Sequence, residues 1–181
     1  GKDFVMVHPS ADPQVAVTAL LRGAFEYQGQ KCSAASRAYL PASLAGRIKE
    51  GLVDGMASFK MGTVEDFSNF INAVIDEKSF DSIMTYIEGA KADPDAEILA
   101  GGRGDKAEGW YIEPTLIEAK SPKYTTMCEE IFGPVLTIYT YPDDQFEETL
   151  DLLNDTSPYA LTGSILAQDR QAVVTATKKL R

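Results

Sequence analysis

Histidine and cysteine are nearly missing from this chain, with 1 His and 2 Cys in 181 residues. A structural zinc centre draws about four ligands from such residues and a disulfide framework needs several pairs, so neither is expected. A reducing compartment and no structural metal are the defaults. Basic charge is also short: 17 Lys and Arg stand against 27 Asp and Glu, a formal net charge of −10. That balance repels a phosphate backbone, and nucleic acid is not an expected partner. Long apolar runs are absent too. The stretch VAVTALL at 15–21 falls well short of the roughly 18 to 20 residues that cross a bilayer as a helix, so no membrane span is expected. What the chain does have is a 44% hydrophobic content, enough for one compact domain with its own core. It opens Gly-Lys-Asp and closes on the uncapped helical pattern VVTATKKLR, which leads to the expectation of a piece cut from a longer protein.

Strand and helix signals alternate. Phe4 to His8 reads as a buried strand, and Asp12 with Pro13 starts a helix carrying Val15, Ala19, Leu20, Ala24 and Tyr27, ended by Gly29. Ser36 to Leu40 reads as the next strand, and Pro41 opens a helix with Leu44, Ile48, Leu52 and Val53. Asp76 or Ser79 caps another, burying Phe80, Ile83, Met84 and Ile87. The segment GWYIEPTLIEA at 109–119 is rich in strand formers but broken by Pro114, which suggests an edge strand or irregular arm. Val135 to Tyr141 is the clearest strand, followed by a helix over 144–153, a strand at Gly163 to Ala167 and a closing helix after Asp169. The predicted fold class is α/β, an open, mainly parallel sheet covered by helices.

Cys32 follows a helix end in a stretch of small residues, where Gly29 permits a sharp turn. A nucleophilic thiol needs access and a stabilised thiolate; an inert core cysteine needs neither, and local composition leaves both readings open. Glu129 and Glu130 read equally as a solvated acidic turn, with Phe132 a core anchor.

Two motifs narrow the choice. Phe25, Gly29, Gln30 and Cys32 form the string F-x-x-x-G-Q-x-C, and Glu130, Phe132, Gly133 and Pro134 form E-x-F-G-P. In this order and spacing they resemble the catalytic-cysteine and cofactor motifs of the aldehyde dehydrogenase superfamily. Gly1-Lys2 resembles the tail of its E-x-G-G-K motif, and the similarity extends through Ser157 to Thr162 and Gln168-Asp169. Within the superfamily, AFEYQGQKCSAASR (24–37) and EEIFGPVLTIYTYPDD (129–144) are most similar to the branch that oxidises L-glutamate γ-semialdehyde in proline catabolism. Gln28 stands where Gly is equally familiar.

The resemblance implies that Cys32 is the nucleophile toward a small-molecule aldehyde, with its backbone N–H on the oxyanion, and that NAD is the cofactor. It implies that Glu130 holds the nicotinamide ribose and Phe132 packs near the nicotinamide, while Ser33 contacts the substrate carboxylate. Residues 1–181 would then be the cysteine-bearing catalytic domain, with the NAD-binding domain and a general-base Glu upstream and a carboxylate-anchoring segment downstream. The fragment alone would be inactive, and the full-length protein a homo-oligomer, cytoplasmic in a bacterium or in the mitochondrial matrix of a eukaryote. Two other readings stand beside this one: a dehydrogenase for another semialdehyde such as succinate semialdehyde, and a noncatalytic α/β binding or assembly module with Cys32 buried.

Other signals are set aside. Arg37 is expected in a structural ion pair and His8 in a structural role. Arg103-Gly104-Asp105 is expected to be a turn, Gly101, Gly102 and Gly104 to be loop punctuation, and Asn154-Asp155-Thr156 needs a secretory route to act as a glycosylation site. Cys128 is expected to be the quieter thiol.

Overall fold

The computed structural model describes residues 1–159 and 161–180; Ala160, inside the stretch 157–162 singled out above, lies outside them, as does Arg181. The chain runs β1 (Asp3–Val7), α1 (Pro13–Phe25), β2 (Ala35–Pro41), α2 (Ala42–Ala57), α3 (Glu77–Ala92) and β3 (Ala96–Ala100). It continues through β4 (Gly104–Asp105), β5 (Tyr111–Ile112), β6 (Thr115–Ala119), α4 (Thr125–Cys128), β7 (Val135–Tyr141), α5 (Phe146–Thr156), β8 (Gly163–Leu166) and α6 (Arg170–Lys179). Six strands form one sheet in the order β3-β6-β7-β2-β1-β8. Every pairing in it is parallel except β3 with β6. The expected open, mainly parallel sheet is the observed one.

The period of two along the central strands decides which helices cover which face. Val5, Val7, Ala38, Leu40, Leu136 and Ile138 point to the side of α1 and α2, where Leu20, Phe25, Ile48 and Leu52 are fully buried. Met6, Tyr39 and Tyr141 point the other way, onto Leu150 and Leu153 of α5 and Ala172 and Ala176 of α6. A third cluster lies under α3, where Phe80, Ile83 and Ile87 meet Ile117, Ile131 and Val135. Caps fix three of these helices: Asp12 accepts from the N–H of Gln14 at 2.8 Å, Asp76 from Ser79 at 2.7 Å and Asp169 from Gln171 at 2.8 Å.

Three expectations need correction. Residues 115–119 form an inner strand, flanked by β3 and β7. Pro114 stands just outside the ladder, whose first backbone bond runs from the Thr115 N–H to the Pro134 carbonyl at 2.8 Å, so its missing N–H costs nothing. The apolar face of α1 is Ala16, Val17, Leu20, Ala24 and Phe25, and both Val15 and Tyr27 are exposed. The helix stops at Phe25, so Tyr27 never falls on its stripe. Gly104 and Asp105 form a two-residue strand antiparallel to β5 rather than a simple turn, with the neighbouring Arg103 paired to Glu113 at 3.0 Å.

Candidate active site

After α1 the backbone makes a left-handed turn. Tyr27 (φ 54°, ψ 35°), Gln28 (φ 56°, ψ 31°) and Gly29 (φ 65°) follow one another in that region, which costs a side-chain-bearing residue roughly 1–2 kcal/mol. The surroundings must hold it. Gly29 lies against the backbone of Gly133, where a Cβ would collide with the carbonyl oxygen. Gln28, 4% exposed, accepts from the Asn72 N–H at 3.1 Å and donates to the Ala73 carbonyl at 3.4 Å. Gln30 accepts from the Ile75 N–H at 2.8 Å. A tight turn then runs from Lys31 to Ala34, closed by the Ala34 N–H on the Lys31 carbonyl at 3.0 Å. Cys32 and Ser33 are its two central residues and both are exposed. The bond that closes the turn leaves the Cys32 N–H outside it. Lys31 is tied to Glu26 at 3.0 Å rather than to the thiol. Ser33 lines a small cavity of about 120 Å³ between β1, β8 and the end of α1.

The second loop leaves the short helix α4. Ile131 anchors it in the cluster under α3, while Phe132 stands at φ 58° with 42% of its surface exposed. Phe132 is therefore not a core anchor. Glu130 keeps 32% of its side chain accessible and Glu129 accepts from the Tyr86 hydroxyl at 2.7 Å. The segment entering β1 threads between the two loops. Gly1 sits against the Cys32 carbonyl oxygen. Cys32, Glu130 and Phe132, distant in sequence, thus belong to one pair of loops in contact at Gly29–Gly133.

Behind this pair lies a buried polar group, Lys2, Asp3 and Arg37, of which the sequence marked Arg37 only as structural and Lys2 only as the end of a motif. Arg37, 2% exposed, donates to the Lys2 carbonyl at 2.9 Å, the Tyr39 hydroxyl at 2.8 Å and the Leu153 carbonyl at 3.2 Å. The expected ion pair is replaced by neutral oxygens. Stacking adds to this, since the guanidinium lies 5.8 Å from the ring centres of both Phe4 and Tyr39. Lys2, 1% exposed, has its ammonium pushed down to about 7 by burial and by the Arg37 charge. Burial likewise raises the Asp3 carboxyl, whose Oδ1 accepts from the Thr162 N–H at 2.9 Å. The pattern that could have found this group is Lys-Asp at a strand start facing Arg at the start of the parallel neighbour. Arg37, Phe4, Ser157, Tyr159 and Thr162 line a cleft of about 550 Å³ next to it. Cys128 is half-buried, and its carbonyl accepts from Ser157 at 2.9 Å. His8 is held by Ser10 at 2.8 Å and edge-on to Phe146. Among the described residues no cluster of His, Cys, Asp and Glu could hold a metal ion, and no helix is long and apolar enough to cross a membrane.

The sequence pattern of the aldehyde dehydrogenase family matches residues 1–181. The mitochondrial Delta-1-pyrroline-5-carboxylate dehydrogenase of Dictyostelium discoideum is 60% identical over 181 residues, all of this chain and 32% of that protein. Its Homo sapiens counterpart is 50% identical over 182 residues, again all of this chain and 32% of that protein. Among solved structures, the Delta-pyrroline-5-carboxylate dehydrogenase of Mycobacterium tuberculosis bound with NAD superimposes with a TM-score of 0.90 at 42% identity, covering 98% of this chain and 32% of that one. The chain spans about a third of the length of these relatives.

Proposed function

The chain belongs to the aldehyde dehydrogenase family, and from that premise we propose that it is the cysteine-bearing catalytic domain of an NAD-dependent dehydrogenase acting on L-glutamate γ-semialdehyde. The observation that carries the reading is the meeting of the Cys32 turn with the Glu130–Phe132 loop through Gly29 and Gly133. The Cys32 thiolate attacks the aldehyde carbon, forming a C–S bond and a thiohemiacetal oxyanion. The Cys32 N–H, outside the hydrogen bond that closes its turn, supports that oxyanion. Ser33, beside the thiol, offers a hydroxyl to the substrate carboxylate.

The residues present fit a nicotinamide cofactor. Glu130 presents a partly accessible carboxylate, an acceptor for a pair of ribose hydroxyls, and Phe132 turns an exposed ring outward from a left-handed backbone. NAD+, when bound, supplies the acceptor for the hydride that leaves the thiohemiacetal carbon. Water then cleaves the resulting thioester, returning the thiol and releasing L-glutamate. The NAD-binding domain, the general base and a carboxylate-anchoring segment belong to the rest of a longer protein, which we propose is a homo-oligomer. Its location follows the host, the mitochondrial matrix in a eukaryote and the cytoplasm in a bacterium; the relatives at 50% and 60% identity are named mitochondrial.

Kinetics of the full-length protein test this. Cys32→Ala abolishes NADH formation from glutamate semialdehyde. Glu130→Gln lowers kcat/KM for NAD+ by about 10- to 100-fold, the size of losing hydrogen bonds to a charged group, while the alkylation rate of Cys32 stays the same. Turnover by Cys32→Ala, or unchanged kinetics of Glu130→Gln at subsaturating NAD+, would overturn the assignments. A higher kcat/KM on succinate semialdehyde would move the substrate to the other branch.

A further inference from the structure

The left-handed turn ahead of Cys32 is held by two side-chain amides on a segment that belongs to neither motif. Gln28 uses both ends of its amide, accepting from Asn72 and donating to the carbonyl of Ala73. Gln30 accepts from the Ile75 N–H at 2.8 Å and donates to the Tyr27 carbonyl at 3.4 Å, so it binds both the segment and the turn. The backbone between is itself braced. The Val74 N–H donates to the Trp110 carbonyl at 2.9 Å, and the Asn72 side chain donates to the Gly62 carbonyl at 2.9 Å. Val74 is buried in the same apolar cluster as Ile131, which lies between Glu130 and Phe132. Residues 72–75 therefore act as a strut bonded to the turn and buried in the same apolar cluster as the second loop.

We propose that Gln28 and Gln30 are positioning residues that set where the Cys32 sulfur stands by locking the left-handed turn onto the 72–75 strut. This rests on the reading of Cys32 as the nucleophile. The two amides differ in what they require. Gln28 must donate and accept, so a carboxylate there would face the Ala73 carbonyl with no proton to give. Gln30 also donates, to the Tyr27 carbonyl at 3.4 Å, but it is only partly buried. A carboxylate there keeps the shorter bond from the Ile75 N–H while its second oxygen turns to water, which the buried position 28 does not allow. Ile75 is 73% exposed, so losing the Gln30 bond removes a restraint on the turn without opening the core.

The test uses the full-length protein and reads three quantities: the second-order rate of Cys32 alkylation by iodoacetamide, kcat at saturating NAD+ and the melting temperature. Gln30→Leu slows alkylation and turnover by about 10-fold, since an ångström of misplacement of a reacting group costs up to about 100-fold. KM for NAD+ changes less than kcat, and the melting temperature stays near that of the parent. Gln30→Glu, which keeps the acceptor, recovers both rates, whereas Gln28→Glu does not. Parent-like alkylation and kcat in Gln30→Leu, or equal losses in the Leu and Glu variants at position 30, would overturn the proposal. Cys32→Ala is assayed alongside. Turnover by that variant overturns the nucleophile reading itself, while a dead Cys32→Ala beside an unimpaired Gln30→Leu overturns only the positioning role.

Discussion

Lys2 enters β1 with its side chain out of water and its Nζ without a hydrogen-bond partner among the described residues. Burial and the Arg37 charge outweigh the pull of Cys128, Glu130 and Glu129 and bring its pKa from the usual 10.5 to about 7. The sign of the consequence follows from which state holds the proton. Between about pH 7 and 10.5 the unfolded chain keeps a proton that the folded chain has released, so Lys2 makes stability rise with pH across that window. Below it the buried charge is carried at a cost. Lys2→Met, of similar length and without the charge, should be at least as stable as the parent near pH 7 and should lose this rise. Urea unfolding at pH 6.5 and 9.5 checks it, and parallel pH dependence in parent and variant would contradict it. In sequence Lys2 was legible only as the end of a motif; nothing local distinguishes a buried lysine from an exposed one.

At the scale of elements, the caps at Asp12, Asp76 and Asp169 and the strand at Val135 to Tyr141 were readable because their signals are local. The inner place of β6 was not, since Pro114 carries the same edge signal whether it interrupts a ladder or stands just before one. The left-handed turn was half legible: Gly29 announced a sharp bend, but Tyr27 and Gln28 in that conformation are maintained by Asn72 and Ala73, far along the chain. The motif residues of the site were readable, Gln30 among them, and the segment 72–75 that the Gln28 and Gln30 amides bind was not. Gly29 supplies the element-scale prediction. An alanine there would have φ near +65° and its Cβ against the Gly133 carbonyl. Gly29→Ala should destabilise by more than about 1 kcal/mol and impair Cys32 alkylation and NAD+ binding together. Thermal melts with both assays check it, and an effect confined to one loop would contradict the contact.

Over the whole molecule, the parallel sheet brings the entry to β1, the entry to β2 and the entry to β7 to the same edge, because β7, β2 and β1 are adjacent and run the same way. Ligands of open α/β sheets commonly bind at the carboxyl ends of the strands, whereas Cys32 and Glu130 precede β2 and β7 and lie at the amino ends. That placement suits a site completed by a further domain on the same side, in keeping with relatives about three times as long. The proposed function stands or falls on chemistry at the Cys32 sulfur. Mixing the full-length protein with NAD+ and glutamate semialdehyde, quenching in acid within a turnover and mapping peptides by mass tests it most directly. A glutamyl thioester is expected on the peptide containing Cys32, absent when NAD+ is omitted. Turnover with the adduct on Cys128, or with no thioester at Cys32 at any quench time, would contradict it.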